Sequence, residues 1–321
     1  MGLDMKSAAT PQNVQQKMRQ EPMPLDQAGR LMRLASMASV AAALILIGIK
    51  LYAFVETGSV ALLSTLFDSL LDVGASLVNM LAIRQALTPA DAEHRFGHGK
   101  AEPLAGLVQV AFILGSSILL LVEVFDHFTD PKPVTNPLTG IVVMVASIVV
   151  TAALIAYQRH VIRRTQSLAV KADSAHYLSD FLVNASVIAA LLLSAQFGWW
   201  WIDPLFGLGV ALFIAVTAIG IGREAFDMLM DREMDDTERA QIKAIVRQHP
   251  EVLNLHELRT RVAGQIRFIQ FHLELDGNIS LLEAHRISDA VEDDVMAAFP
   301  GAEVIIHQDP HGVAERRRVF G

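Results

Sequence analysis

Six long apolar runs, at about 34–55, 60–83, 104–125, 138–157, 169–193 and 205–221, dominate the first two thirds of this 321-residue chain. Each is long enough to cross a hydrocarbon layer about 30 Å thick as a helix. Within lipid a backbone satisfies its own amides only as a helix or a closed barrel. The pattern therefore predicts an α-helical membrane protein with six transmembrane helices. Beyond Asp231 the sequence turns polar and charged, which predicts a separate water-soluble domain.

The expected divisions are a disordered N-terminal tail at 1–28, a six-helix membrane domain at 29–230, a soluble domain at 231–311 and a basic, mobile tail at 312–321. The first segment is Gln-rich, with Pro11, Pro22 and Pro24, and holds no apolar core of signal-peptide length. Its end could instead form a short interfacial helix. In the soluble part, 236–248 reads as a helix with Asp235 or Asp236 near its N-cap and Pro250 beyond its end. Strands are expected at 253–262 and 266–275 around Gly264, although Phe268, Phe271 and Leu273 alternate only partly. A helix at 281–299 and a strand at 303–307 complete an α-β-β-α-β order, that of a small open-faced α+β layer.

Loop charges set an expected orientation. Arg84, Arg95 and Lys100 follow the second span; Arg159, Arg163, Arg164 and Lys171 follow the fourth. The opposite loops offer only Lys132, with Trp199, Trp200 and Trp201 as an interfacial belt. By the positive-inside rule both termini are cytoplasmic, in a bacterial cell on the inner membrane. The net charge of -8, without a basic patch interleaved with aromatics, argues against a nucleic-acid partner. With no cysteine, any metal must be held by His, Asp or Glu.

The second and fifth spans carry what the others lack. Asp68 and Asp72 stand four residues apart in one, and His176 and Asp180 repeat that spacing in the other. One helical turn puts each pair on a single face. An Asp at mid-membrane costs roughly 2.5–3.5 kcal/mol on insertion scales. Three of them must face protein or water, and no Arg or Lys is expected at their depth. Two such pairs on facing helices supply a tetrahedral divalent ion with four ligands. The bland alternative is a polar cluster that only joins helices. Asp173, Asn184, Ser76 and Asn79 continue the same faces, and either an aqueous path or helix–helix hydrogen bonding explains them.

Two further groups lie outside the spans. Asp91, His94 and His98 form a three-ligand set that water or Glu93 could complete; a solvated loop is the ordinary alternative. His256, His272, His285, His307 and Asp309 come from three expected strands and one helix and could converge, or be unrelated surface groups. His127, His160, His249 and His311 have no partner at ligand spacing.

The Asp68/Asp72 and His176/Asp180 pairs, the Phe96-Gly97-His98-Gly99-Lys100 loop and the Ile306-His307-Gln308-Asp309-Pro310 ending together resemble the cation diffusion facilitator family, in its bacterial YiiP-type branch. The resemblance covers about residues 30 to 311. It implies a homodimer in membrane lipid, with cytoplasmic ferredoxin-like domains, exporting divalent metal against inward protons. Carried onto this chain, the transport site is Asp68, Asp72, His176 and Asp180, and the loop site is Asp91, His94 and His98. The cytoplasmic two-metal site is His256, His272, His285, His307 and Asp309, with Asp309 bridging and Gln308 a weak contact. Several zinc ions per protomer are implied, with protons as counter-ion, and Lys100 paired with Asp231 at the dimer contact.

The expected function is secondary active export of zinc, with cadmium or iron(II) also accepted, by alternating access. His176 is the natural proton carrier, since an imidazole ordinarily titrates near pH 6.5. Metal in the soluble domain would bias the conformational equilibrium. An enzyme is not expected: no H-E-x-x-H occurs, and His256-Glu257-Leu258-Arg259-Thr260 lacks the second histidine. The absence of G-x-x-x-x-G-K-[ST] argues against ATP as a partner. A passive channel would be insensitive to a pH gradient, and a sensor needs fewer spans.

Overall fold

The computed structural model describes residues 23–57, 60–129, 137–197 and 201–313. Six helices come first: α1 (Leu25–Thr57), α2 (Val60–Ala86), α3 (Ala101–Thr129), α4 (Pro137–Thr165), α5 (Leu168–Phe197) and α6 (Ile202–Leu229). All six are long and apolar enough to span a membrane. They outlast the apolar runs. α1 starts at Leu25 rather than near Leu34, and α4 continues through Arg159, Arg163 and Arg164. Hydropathy marks only the stretch that lipid must cover, while the i→i−4 ladder continues into polar sequence. The segment expected as tail, 1–28, is thus helical from Leu25. The rest of it, 1–22, lies outside the described residues, as do Lys132, Trp199, Trp200 and 314–321.

α5 is the hub of the bundle and touches each of the other five helices. Packing against five neighbours is what lets it carry polar groups at membrane depth. Asp173, Ser174, His176 and Ser179 are buried on it beside Tyr177. The outward faces carry the reverse pattern: Leu119, Val142, Val149 and Val216 are exposed, as a lipid-facing surface requires.

The C-terminal domain comprises α7 (Asp236–Val246), β1 (Asn254–Ala263), β2 (Ile266–Leu275), α8 (Leu281–Ala298) and β3 (Glu303–Pro310). Asp235 caps α7 by accepting from the Glu238 amide at 2.9 Å, and Ser280 caps α8 by accepting from the Glu283 amide at 3.2 Å. The strands lie in the order β1-β2-β3, β1 antiparallel and β3 parallel to β2. Ile269, Phe271, Leu273 and Leu275 of β2 pack against Ile242 and Val246 of α7 and Ile287, Val291 and Val295 of α8. The helices cover that face and leave the other open.

Two departures from simple alternation have local causes. Pairing shifts register between His256↔His272 and Arg259↔Gln270, so β1 carries a bulge, with Glu257 at φ 48°. The bulge resets the pleat, and Leu255 and Leu258, three residues apart, both reach the core. Phe268 faces the open side, where Phe96 packs edge-on at 5.9 Å and the Arg261 guanidinium lies 4.1 Å from its ring centroid.

The two parts meet closely. Leu25 of α1 lies against Gly301, and a methyl group on Gly99 would run into the carbonyl of Ala263 in the β1–β2 hairpin. Glu102, buried in the first turn of α3, accepts from Ser167 Oγ at 2.6 Å and from the Ala169 amide at 3.4 Å. It thereby ties α3 to the start of α5, where an anionic group also suits the helix dipole.

Candidate functional site

The i,i+4 spacing brings the intramembrane group together. His176 Nε2 lies 3.1 Å from Asp72 Oδ1 and 3.9 Å from Asp180 Oδ2. One donor atom from each of the three residues falls within a 4.8 Å group. Two ligands about 2.1 Å from one tetrahedral ion stand about 3.4 Å apart, so this spacing is close to that of a coordination shell. Asp180 Oδ2 and His176 Nδ1 are buried without a hydrogen-bond partner among the described residues. Such orphaned groups are costly unless something else occupies them. Asp68, one turn along α2, lines the same cavity of about 290 Å³ but stays outside the tight group.

The flanking polar residues divide. Asp173 is a helix-joining residue: it accepts from Ser39 of α1, Gln109 of α3 (3.0 Å) and Gln158 of α4 (2.7 Å). Ser76 of α2 bonds the Tyr177 hydroxyl of α5 at 2.8 Å, and that hydroxyl donates to the Ser39 carbonyl. Asn184 donates to the Asp180 carbonyl at 2.8 Å while lining the cavity. Both amide atoms of Asn79 are buried without a partner among the described residues.

One expectation is corrected. Lys50 of α1 lies at the depth of the acids and lines the same cavity, donating to Ser69 Oγ at 2.6 Å and to the Thr65 carbonyl at 3.1 Å. Its signal in the sequence was plain, a lone cation inside the first apolar run. Gln109 and Gln158 were legible in the same way, as amides in apolar spans.

The loop set also converges. Asp91 lies 3.3 Å from His94 Nδ1 and 3.4 Å from His98 Nε2, and the two rings stand 4.5 Å apart. The His94 amide, with the Glu93 amide and the His94 ring, holds the Asp91 carboxyl below its ordinary range. The Glu93 side chain is not part of the group.

On the open face of the sheet, Asp309 is buried beneath three imidazoles. Its oxygens lie 2.8 Å from His272 Nδ1, 3.3 Å from His256 Nε2 and 3.1 Å from His307 Nε2. The Nδ1 of His256, buried without a hydrogen-bond partner among the described residues, and the mixed imidazole–carboxylate set fit a zinc-like ion. His285 does not join them within the chain. It sits on α8, across the sheet, exposed and 3.3 Å from Asp289. Gln308 likewise points to the helix side and donates to Ser288 at 2.9 Å. Glu257, displaced by the bulge, brings its carboxylate to 3.8 Å from His272 Nε2 and receives Arg259 at 2.9 Å. Sequence reasoning passed over it because no periodicity marks a bulge.

Lys100 and Asp231 pair within the chain at 2.9 Å, and Arg261 joins Asp231 at 3.2 Å. Desolvation opposes ionisation of Asp231, and the bonds from Lys100 and Arg261 outweigh it, holding the carboxyl below its ordinary range. Of the remaining histidines, His127 faces Asp203, His249 faces Asp294 and His311 faces Glu274.

A six-helix membrane bundle with acids buried between its helices, joined to a sheet domain with a histidine face, defines a class of membrane cation carriers. The chain belongs to the cation diffusion facilitator, or cation efflux, family: residues 36–230 match the cation efflux transmembrane domain and 234–311 the cation efflux protein cytoplasmic domain. It is 53% identical over 278 residues to the cation-efflux pump FieF of Shewanella oneidensis, covering 87% of this chain and 94% of that one. It is 46% identical over 288 residues to FieF of Shigella flexneri, covering 90% and 96%. Among solved structures, a putative zinc transporter CzrB in its zinc form aligns at 35% identity over 27% of this chain and 99% of that one, with a TM-score of 0.25. The metal-bound C-terminal domain of CzcD from Thermotoga maritima aligns at 30% identity over 26% and 100%, with a TM-score of 0.24. The chain is a multi-pass cation efflux transporter, and its relatives are not enzymes.

Proposed function

We propose that this protein exports a divalent metal cation, zinc first, with cadmium or iron(II) also accepted, in exchange for protons. The observation that carries the reading is the Asp72–His176–Asp180 group, with its unpartnered buried donor atoms, inside a cavity among membrane helices. The cation is the substrate. It binds His176 Nε2 and the carboxylates of Asp72 and Asp180, and Asp68 swings in from the cavity wall as fourth ligand. A carboxylate or imidazole that binds metal must first give up its proton, so loading releases protons and protons from the far side displace the cation. Movement of α2 against α5 alternates access. The two helices meet only over a short length, whereas α3 and α6 pack together extensively, so the first pair is the one free to rock.

The cytoplasmic domain would hold regulatory metal through His256, His272, His307 and Asp309, and the loop through Asp91, His94 and His98. A bound ion there supplies a cross-link between strands, or between loop and bundle, that only the metal-loaded state has. Asp309 lies between three imidazoles, the position of a bridging ligand for two ions. His285 stands apart on α8, and in the homodimer we propose it would serve only where a second chain reached it. Arg84, Arg95, Lys100, Arg159, Arg163, Arg164 and Lys171 cluster at one end of the bundle, the basis for placing both termini in the cytoplasm and the protein in the inner membrane.

The test is zinc uptake into proteoliposomes with an internal pH dye. Asp72→Ala is expected to abolish zinc-dependent proton movement while the purified protein keeps its helical content. Unchanged proton movement in that variant refutes the site.

A further inference from the structure

Among the described residues, Lys50 is the one lysine or arginine on the wall of the cavity that holds Asp68, Asp72, His176 and Asp180. A cation inside a cation-transport site calls for a reason, because it repels the substrate. The flanking sequence Leu44-Ile45-Leu46-Ile47-Gly48-Ile49 and Leu51-Tyr52-Ala53-Phe54 offers it no local counter-charge. Its position is far from the sheet domain. Leu25, at the start of α1, touches Gly301, and the twenty-five residues from there to Lys50 span about 37 Å of helix. The ammonium rests on two neutral acceptors, Ser69 Oγ at 2.6 Å and the Thr65 carbonyl at 3.1 Å, which flank Asp68 on α2. It is close enough to act electrostatically on both Asp68 and Asp180. An intramembrane ammonium pairs with anions or with backbone carbonyls; here it bonds the Thr65 carbonyl directly, and the cavity's carboxylates are the anions within its electrostatic reach.

The charges can be counted. In the deprotonated form that binds metal, with His176 neutral, Asp68, Asp72 and Asp180 carry three negative charges and Lys50 one positive, leaving two. One dication cancels two. Glu123 also lies on the cavity wall, but it is exposed and is not one of the proposed ligands, so the count covers the site's own three acids. Without Lys50 the site would be over-charged for its substrate and would hold a dication too tightly to release it quickly.

We propose that Lys50 is a tethered counter-cation of the transport site: it offsets one carboxylate so that the site's charge matches a single dication, and it turns to the carboxylates the cation vacates. The role rests on the transport site proposed above. It makes Lys50 a residue that sets affinity and release rate, without being a metal ligand.

The experiment compares Lys50→Gln, Lys50→Met and Lys50→Arg with the unaltered protein in proteoliposomes, reading zinc KM and maximal rate by stopped flow. Lys50→Gln keeps a hydrogen-bond donor toward Ser69 and Thr65 and loses the charge. It is expected to lower KM by about tenfold or more, because a full charge acts on the dication through a low-dielectric cavity, and to lower the maximal rate as release slows. Lys50→Met should do the same, and Lys50→Arg should keep both constants within about twofold. An unchanged or raised KM in Lys50→Gln overturns the proposal, as does Lys50→Arg behaving like Lys50→Gln. Should Lys50→Met fail to fold, the Gln and Arg pair still decides. Asp72→Ala run alongside separates the two claims. If it still transports, the transport site itself is wrong. If it is dead while Lys50→Gln leaves KM unmoved, only the role of Lys50 falls.

Discussion

The intramembrane cluster and the sheet cluster use the same chemistry, imidazole and carboxylate, but are assembled by opposite means. In the bundle, Asp68 and Asp72 come from one helix and His176 and Asp180 from another, each pair fixed by the period of 3.6 residues. In the sheet, His256, His272 and the His307/Asp309 pair come from three strands, and only cross-strand register brings them level: His256↔His272 and His272↔His307 are direct neighbours. The first site depends on how two helices approach, and in the proposed cycle it would open and close as they rock. The second is tied by backbone hydrogen bonds on both sides of β2 and has little freedom to change shape. A carrier needs the former for cargo, and the latter suits a metal that stays.

The sharpest way to break this comparison is to remove one donor from each. Asp180→Ala is expected to abolish zinc transport, a loss of at least about 100-fold in rate. His272→Ala should strip metal from the purified protein, measured by elemental analysis, and slow transport only severalfold. If His272→Ala stops transport as completely as Asp180→Ala, the sheet cluster is part of the transport path and the division of labour is wrong.

The same contrast explains what could be read from sequence. The six spans, the acid pairs and the α-β-β-α-β order were legible because each rests on a period or a short-range signal. Lys50 was equally legible, as a lone cation inside the first apolar run. The bulge at Glu257 was not legible. A strand pattern carries no mark for an inserted residue, and Leu255 with Leu258 reads as a broken alternation until the pairing is known. Nor was the outward turn of Phe268, which depends on Phe96 arriving from a loop far earlier in the chain and on Arg261 arriving from the neighbouring strand. His285 carries the right residue type at a position that the helix-covered face of the sheet keeps away from its expected partners.

A smaller effect is expected at the junction between the regions. Gly99 leaves no room for a side chain against the Ala263 carbonyl. Gly99→Ala must push the loop off the hairpin, at a cost of about 1–3 kcal/mol typical of overpacking. The intramembrane and sheet clusters keep their ligands in this variant, whereas His98 of the loop cluster is next to the changed residue. Transport should persist while its dependence on metal in the cytoplasmic domain weakens, read as a flatter response to cytoplasmic-side zinc at fixed substrate gradient. A response identical to that of the unaltered protein would mean the two regions communicate by another route.

The smallest effect separates the bulge from its side chain. Glu257 holds a left-handed backbone at φ 48°, a conformation that costs a residue with a side chain about 1–3 kcal/mol. Glu257→Gly relieves that strain but loosens the unfolded chain by about 0.5–1 kcal/mol and loses the half-exposed bond to Arg259, worth about 0–1 kcal/mol. The terms nearly cancel, so its thermal midpoint should move by only a few degrees. Glu257→Val cannot take that backbone easily and should lower the midpoint further. Val should also cost metal where Gly does not, because a one-residue slip of β1 turns His256 away from His272 and Asp309. Equal metal content in the two variants would show that the bulge merely tolerates Glu257, and that the strands hold the histidine row in register without it.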